Sequence, residues 1–198
     1  MGLADMETDD QTTAGLITQS SLDSRIREVL TYIPGFPDQR YNFPDITPLL
    51  ECHPQLFRDT VDELLRRTQD WLYDTVLCVE SFGYVFGIPL AYKCGCRIAL
   101  MRRPGKLPRP VLQQSYSMCY DAERCMEIHK DALLPGSRVL VVDDFLISGG
   151  TIAAALELIA KANAEAAGVA CVVENTSWGP RAALKKYDVP IITLATIP

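Results

Sequence analysis

Apolar residues recur at helical spacing in two segments near the start of the chain. Residues 21–30 begin with a Ser-Leu-Asp-Ser run and continue with apolar positions three and four apart, which predicts a short helix. A longer apolar stripe predicts a second helix over residues 55–72. The turn-rich Ile-Pro-Gly-Phe-Pro-Asp run at residues 33–38 ends the first helix.

After residue 75 the pattern alternates between apolar runs typical of buried strands and helix-like segments. Strands are predicted at residues 75–79, 97–101, 138–142, 169–173 and 191–195, and helices at residues 84–92 and 151–166. Strands that alternate with helices pair in parallel through right-handed crossovers. The chain is therefore predicted to be an α/β protein with a mostly parallel central sheet and helices on both faces.

Two segments lack this periodicity. Residues 1–19 mix Asp, Thr, Gln and Gly without a hydrophobic period, which predicts a flexible leader before a single domain over residues 20–198. Residues 102–114 combine prolines with basic side chains and predict a long exposed loop. A loop of that length in a compact domain is usually functional or mobile.

Composition limits the partners and the compartment. The chain has 19 Lys and Arg against 25 Asp and Glu, a net charge of −6, which argues against nucleic acid or an anionic membrane as the main partner. No apolar run approaches the length of a spanning helix. The seven cysteines, an odd number, predict reduced thiols in the cytoplasm. The Cys94-Gly-Cys96 pair lacks further ligands near it in sequence, so no protein metal site is predicted.

Residues 139–151, Val-Leu-Val-Val-Asp-Asp-Phe-Leu-Ile-Ser-Gly-Gly-Thr, carry the clearest chemistry. They read as a strand that ends in Asp143 and Asp144, followed by a short loop that opens a helix. Ligands bind at the carboxyl ends of strands in such sheets. Glycines let the loop backbone approach an oxyanion, the helix amino terminus attracts it, and Ser148 and Thr151 add hydroxyl donors. The carboxylates repel a phosphate and suit a sugar diol, a cationic transition state or magnesium, so a sugar phosphate is predicted.

Two other phosphate-binding motifs are absent from the sequence. The Gly105-Lys106 pair is followed by Leu107, so it is not a Walker A loop, and no Gly-x-Gly-x-x-Gly fingerprint is present. One structural alternative stays open at this point, because a strand-to-helix turn with a helix cap could carry the same residues without binding a ligand.

Residues 139–151 resemble the phosphoribosyl pyrophosphate signature of type I phosphoribosyltransferases, and other segments are similar to the adenine-specific members. These segments are residues 42–50, 80–87, 102–108 and 115–120. The resemblance implies the type I phosphoribosyltransferase fold with a small N-terminal hood. It also implies transfer of a 5-phosphoribosyl group from its magnesium pyrophosphate to a purine, adenine first, in purine salvage by a cytoplasmic homodimer.

The resemblance also implies roles for individual residues. Asp143 and Asp144 would face the ribose hydroxyls and the developing cation, and Cys119 stands where the family has a catalytic glutamate. The other implied substrate-binding residues are Phe145, Leu146, Ile147, Ser148, Gly149, Gly150 and Thr151 around the 5′-phosphate, Glu80, Ser81, Phe82 and Gly83 around the pyrophosphate, Arg102, Arg103 and Lys106 on the basic loop, and Asn42, Phe43, Pro44 and Tyr120 elsewhere in the site.

Three positions depart from the family pattern. Cys119 replaces the glutamate, Phe82 replaces an arginine of the pyrophosphate loop, and Pro44 replaces an arginine before the Asp-Ile-Thr-Pro run. A thiol donates only weak hydrogen bonds, so general acid–base help of about 10²–10⁴-fold would be missing. Two alternatives therefore stay open: transfer to another base, or a catalytically weak paralogue that binds phosphoribosyl pyrophosphate or nucleotide in a regulatory role.

Overall fold

The computed structural model describes residues 21–36, 39, 42–118 and 121–198. The predicted leader, residues 1–19, lies outside these described residues. The assignment of residues 20–198 to a single domain stays a prediction. Among the described residues no helix is both long and apolar enough to cross a membrane.

The described chain begins with a helix and a small antiparallel sheet. Helix α1 spans Leu22–Val29, and strands β1 (Thr31–Pro34) and β2 (Asn42–Asp45) pair in antiparallel register before the short helix α2 (Thr47–Glu51). The sequence predicted only a turn after α1. The hydrophobic pattern does not indicate β1 and β2, because each strand has only four residues and contains a proline, which cannot donate a ladder hydrogen bond.

Five of the remaining strands form the central sheet. In chain order the remaining elements are α3 (Pro54–Thr68), β3 (Thr75–Val79), α4 (Phe82–Cys94), β4 (Arg97–Met101), β5 (Val111–Met118), β6 (Asp121–His129), β7 (Arg138–Leu146), α5 (Gly150–Lys161), β8 (Glu165–Asn175), α6 (Pro180–Leu184) and β9 (Ile191–Ile197). The spatial order of the sheet is β4-β3-β7-β8-β9, and every neighbouring pair is parallel. The predicted parallel α/β sheet is confirmed.

Helices cover both faces of this sheet, as predicted. Leu64 of α3 and Phe86 of α4 are fully buried in the core layer on one face. Ile152 and Ile159 of α5, with Leu184 of α6, pack in the layer on the other face. Strands buried on both sides are nearly continuous apolar runs, which is why the sequence pattern located them.

The ends of three predicted helices differ from the structure. The helix predicted over residues 151–166 ends at Lys161, because Asn163 adopts a left-handed φ of 56° and Glu165 already pairs with β7. The helix predicted over residues 55–72 ends at Thr68 and continues as a 3-10 turn. The helix predicted over residues 84–92 is longer and begins at Phe82.

An antiparallel ribbon occupies part of the predicted loop and the segment after it. β5 and β6 pair with each other, and β5 begins at Val111, so the loop ends at Pro110 rather than at residue 114. The ribbon lies on α5, where Met126 and Ile128 join the core and Lys161 Nζ donates to the Gln113 carbonyl at 2.7 Å. The ribbon therefore connects the basic loop to the helix that follows β7.

Candidate active site

A cleft of about 600 Å³ opens where β3 and β7 end. Its walls come from β2, from the loops after β3, β4 and β7, and from the β5–β6 ribbon. The lining residues are Phe43, Glu80, Ser81, Phe82, Arg103, Pro104, Tyr116, Arg124, Cys125, Met126, Asp143, Asp144, Phe145, Ile147 and Thr151. The carboxyl edge of a parallel sheet is the expected place for a ligand.

Two adjacent carboxylates lie near the carboxyl end of strand β7, in the wall of this cleft. Asp143 is 7% exposed and Asp144 is half-buried, and the Asp144 backbone N–H donates to Asp143 Oδ1 at 3.0 Å. Burial, and after it the charge of Asp144, raises the pKa of Asp143 well above its usual range. Burial also raises the pKa of Asp144. A cationic ligand would favour the ionised pair, because it would offset both effects.

The raised pKa of Asp143 predicts a pH-dependent stability. Because the pKa is raised in the folded state, the contribution of Asp143 to the free energy of unfolding is most favourable below the unfolded pKa of about 3.9. That contribution is lost as pH rises through the folded pKa. Asp143→Asn removes the titration. The difference in unfolding free energy, variant minus natural chain, should therefore increase as pH rises above about 4. Between the unfolded and folded pKa values of Asp143 the increase is about 1.4 kcal/mol per pH unit.

Urea unfolding of both chains at several pH values measures this difference. The exposed Asp70→Asn is the matched control, and its difference from the natural chain should stay flat. An Asp143→Asn difference that is constant between pH 4 and 8 would contradict the prediction.

The loop after β7 has the geometry of an anion-binding turn. Gly149 has a φ of +81°, and Leu184 Cγ lies 3.1 Å from where a β-carbon would stand, so this position requires glycine. The Gly150 N–H donates to Ser148 Oγ at 3.4 Å, and α5 begins at Gly150. Thr151 Oγ1 donates to the Tyr116 hydroxyl at 3.4 Å, which joins the loop to the ribbon. The amino terminus of α5 therefore faces the loop with its positive dipole end.

The loop between β3 and α4 approaches β7 closely. The peptide bond between Glu80 and Ser81 is cis, and α4 begins at Phe82. A β-carbon on Gly83 would lie 2.5 Å from the Val142 carbonyl oxygen, so only glycine allows this helix start to pack there. The loop after β3 and the acidic end of β7 are thereby held side by side.

Glu80 binds the arginines that follow β4. It accepts the Arg103 backbone N–H at 2.9 Å, and the Nε atoms of Arg102 and Arg103 each lie 3.4 Å from its carboxylate oxygens. Burial alone would raise the pKa of Glu80, but the Arg103 N–H and the two guanidinium charges outweigh it and lower that pKa. Arg102 also donates to the Lys106 carbonyl at 3.1 Å. The basic loop is therefore tied to the loop after β3.

The predicted site residues fall into three groups. Ten of them line the cleft: Phe43, Glu80, Ser81, Phe82, Arg103, Asp143, Asp144, Phe145, Ile147 and Thr151. Seven others belong to the same segments of the chain without lining the cleft: Gly83, Arg102, Lys106, Leu146, Ser148, Gly149 and Gly150. Of these, Leu146 is fully buried in the core, so only its backbone is left for a ligand. The structure places Asn42 and Pro44 in a different cavity with Tyr32 and Asn175.

Cys119 and Tyr120 lie outside the described residues. The sequence reasoning missed five lining residues: Pro104, Tyr116, Arg124, Cys125 and Met126. Four of these belong to the β5–β6 ribbon. A prediction of these two strands from the sequence would have indicated that their residues reach the cleft.

Acids, a phosphate-type loop and aromatic side chains thus share one cleft. The acids can accept sugar hydroxyls or face a positive charge, the α5 terminus can hold a phosphate, and Arg103 can meet a further anion. Phe43, Phe82 and Phe145 offer apolar surface to a planar group. This set of groups fits a phosphorylated sugar with an aromatic partner.

Known proteins resemble this chain in sequence and in fold. A family model described as the phosphoribosyl transferase domain matches residues 55–194. The adenine phosphoribosyltransferase of Chloroflexus aurantiacus is 42% identical over 173 residues, which cover 87% of this chain and 96% of that protein. The crystal structure of adenine phosphoribosyltransferase from Thermoanaerobacter pseudethanolicus matches with a TM-score of 0.84 at 34% identity, over 89% of this chain and 100% of that chain. The crystal structure of the Saccharomyces cerevisiae enzyme, solved with an imino-altritol bisphosphate and adenine, matches with a TM-score of 0.78 at 30% identity. The match covers 87% of this chain and 98% of that chain.

Proposed function

This chain belongs to the phosphoribosyltransferase family, and from that membership we propose that it transfers the 5-phosphoribosyl group of phosphoribosyl pyrophosphate to adenine. The products are AMP and pyrophosphate, so the reaction serves purine salvage and the protein is a glycosyltransferase. The observation that carries the proposal is the buried pair Asp143 and Asp144 beside the glycine loop at the start of α5, in one cleft.

The sugar end of the substrate would lie along β7 and its loop. The hydroxyls of Ser148 and Thr151 and the backbone at the start of α5 would hold the 5′-phosphate. Asp143 and Asp144 would face the ribose hydroxyls and the charge that develops on the sugar, because such transfers pass through a cationic, oxocarbenium-like transition state. Fixed negative charge that meets developing positive charge in a buried site lowers the barrier.

The pyrophosphate end would lie against the loop Glu80 to Gly83 and against Arg103. In the structure the Arg103 guanidinium is held by Glu80, at 3.4 Å. Since Arg103 is largely exposed and this contact is long, a bound pyrophosphate can compete for the guanidinium. Movement of the basic loop onto the substrate would also exclude water from the reacting carbon.

We propose Mg²⁺ as the cofactor, bound together with pyrophosphate. The acidic pair provides hard oxygen donors, and burial raises the pKa of both carboxyls, an effect that a bound cation would offset, which fits the ion. Within the described residues no three His, Cys, Asp or Glu side chains cluster as a metal site, so substrate phosphates would complete the coordination. When bound, Mg²⁺ supplies positive charge that screens the pyrophosphate.

A homodimer in the cytoplasm is also proposed. The likeness to the family supports the dimer, and the odd number of cysteines supports a reducing compartment. Light scattering on a sizing column should give twice the mass of one chain. A mass of one chain at micromolar concentration would contradict the dimer.

The test of the function is pyrophosphate release with a panel of bases: adenine, hypoxanthine, guanine and uracil. We expect slow but detectable release with adenine. Cys119→Glu should raise the rate about tenfold, because a carboxyl group supplies the acid–base help that a thiol lacks. Cys52→Glu, at an exposed cysteine outside the cleft, is the matched control and should leave the rate unchanged.

The other outcomes are informative. Release with a different base would move the assignment to that base. No release with any base in either chain would contradict the enzyme and favour a protein that binds phosphoribosyl pyrophosphate in a regulatory role. Equal and fast rates in both chains would show that position 119 does not limit catalysis.

A further inference from the structure

Two thiols meet on the surface at the end of α4. Cys94 Sγ lies 2.7 Å from Cys96 Sγ, shorter than a van der Waals contact of two sulfur atoms and approaching the S–S bond of about 2.05 Å. Cys94 is exposed and Cys96 is partly buried. The transfer reaction proposed above uses neither thiol.

The backbone of this turn brings the sulfurs together. Helix α4 ends at Cys94, and Gly95 follows in the left-handed conformation with a φ of +69°. The Cys96 backbone N–H then donates to the Ala91 carbonyl at 3.0 Å, which closes the helix end. Nothing lies within 4 Å of a β-carbon on Gly95, so its conformation rather than space requires glycine. The dithiol geometry is therefore set by the helix cap.

The surroundings distinguish the two thiols. Burial, then the hydrogen bond and charge of Cys94, then the charge of Asp74, raise the pKa of Cys96 to about 12. Lys93, the cation next to Cys94 in sequence, is paired with Asp62 at 2.6 Å. The exposed Cys94 is therefore the thiol that reacts first with a reagent from solution, and Cys96 is the one that resolves the product.

We propose that Cys94 and Cys96 form a reversible disulfide, a redox modification site at the end of α4 remote from the cleft. The oxidant is a low-molecular-weight disulfide, RSSR. Cys94 loses its proton and attacks one sulfur of RSSR, which releases one RS⁻ and leaves a mixed disulfide. Cys96 then loses its proton and attacks the Cys94 sulfur, which releases the second RS⁻. The two protein thiols lose two electrons and two protons, and RSSR becomes two RSH.

The site is separate from substrate binding. The 13 residues of α4 place Cys94 about 20 Å from Phe82, which lines the cleft at the other end of the helix. The bond would join the end of α4 to the residue before β4, the edge strand of the sheet.

Peptide mapping of the full chain tests the proposal. The reduced protein is exposed to rising oxidised glutathione until the exposed thiol of Cys52 is modified, then quenched in acid and alkylated. Cleavage after lysine releases residues 94–106, which contain only these two cysteines. We expect this peptide to be lighter by two hydrogen atoms and to resist alkylation, at about tenfold less oxidant than Cys52 requires, because the second step is intramolecular. Dithiothreitol should restore two alkylation sites.

Single substitutions provide the matched controls. In Cys94→Ser or Cys96→Ser the remaining thiol can only be alkylated or carry one glutathione, so the peptide that carries neither an alkyl group nor glutathione should disappear. A natural chain in which Cys52 is modified while residues 94–106 keep both alkylation sites, or carry glutathione on either cysteine without an internal bond, would overturn the proposal.

Discussion

Asp144→Asn is expected to lower kcat/KM for phosphoribosyl pyrophosphate by about 10²–10³-fold, the usual effect of removing one charge aimed at a transition state. The carboxylate is half-buried, so water screens it less than an exposed one, and its charge matters most when the sugar becomes cationic. An interaction made only in the transition state should lower kcat with little change in KM. Initial rates of pyrophosphate release over a range of substrate concentrations measure both constants.

The same substitution should leave the fold intact. Burial raises the pKa of Asp144, so a neutral asparagine removes an unfavourable buried charge, and thermal unfolding should occur at the same temperature or higher. Asp70→Asn, which removes an exposed charge, should leave kcat and KM unchanged. A kcat/KM for Asp144→Asn close to that of the natural chain would show that this carboxylate does not face the reaction.

The sheet could be predicted from the sequence because strands buried on both faces consist almost entirely of apolar residues. β3 is buried at every position and β8 at most of its positions, so their apolar runs stand out from any solvent-facing pattern. The loop after β7 was equally visible, because the left-handed Gly149 and the acids before it are local features. Elements whose identity is fixed by their own residues are the ones that sequence reasoning located.

Contacts between distant segments were not visible in this way. Glu80 lies more than 20 positions before Arg102 and Arg103, and no local pattern indicates that it holds both arginines. The β5–β6 ribbon was missed because its outer face is polar and its inner face packs on α5 rather than in the sheet. The resemblance implies that Asn42 and Pro44 bind the substrate, which stays a prediction, and in the structure both line a different cavity from the acidic pair.

The two loops of the cleft depend on each other at a single close approach. Gly83, in the first turn of α4, lies against the backbone of β7, at the carbonyl that directly precedes Asp143. The position of the loop after β3 and that of the acidic pair are therefore set by the same contact. A change there should disturb both ends of the substrate at once.

Gly83→Ala is accordingly expected to lower kcat/KM by about 10²-fold, since a misplacement of about 1 Å in a site can cost that much. The new β-carbon would stand 2.5 Å from the Val142 carbonyl oxygen, which belongs to a central strand and cannot rotate away as a side chain could. Overpacking should also cost about 1–3 kcal/mol of unfolding free energy. Rates per folded molecule and urea unfolding curves separate the two effects.

Gly87→Ala, one turn further along α4, is the matched control because its β-carbon would meet the Cys78 sulfur, also at 2.5 Å, rather than the backbone beside the acids. It should also lose stability, by less than Gly83→Ala, since the Cys78 side chain can adjust where the strand backbone cannot. Its folded molecules should keep most of their activity, because the contact that aligns the two loops is untouched. If both variants lose activity equally, general loosening of α4 would explain the result, and the close approach at Gly83 would have no special role in aligning the site.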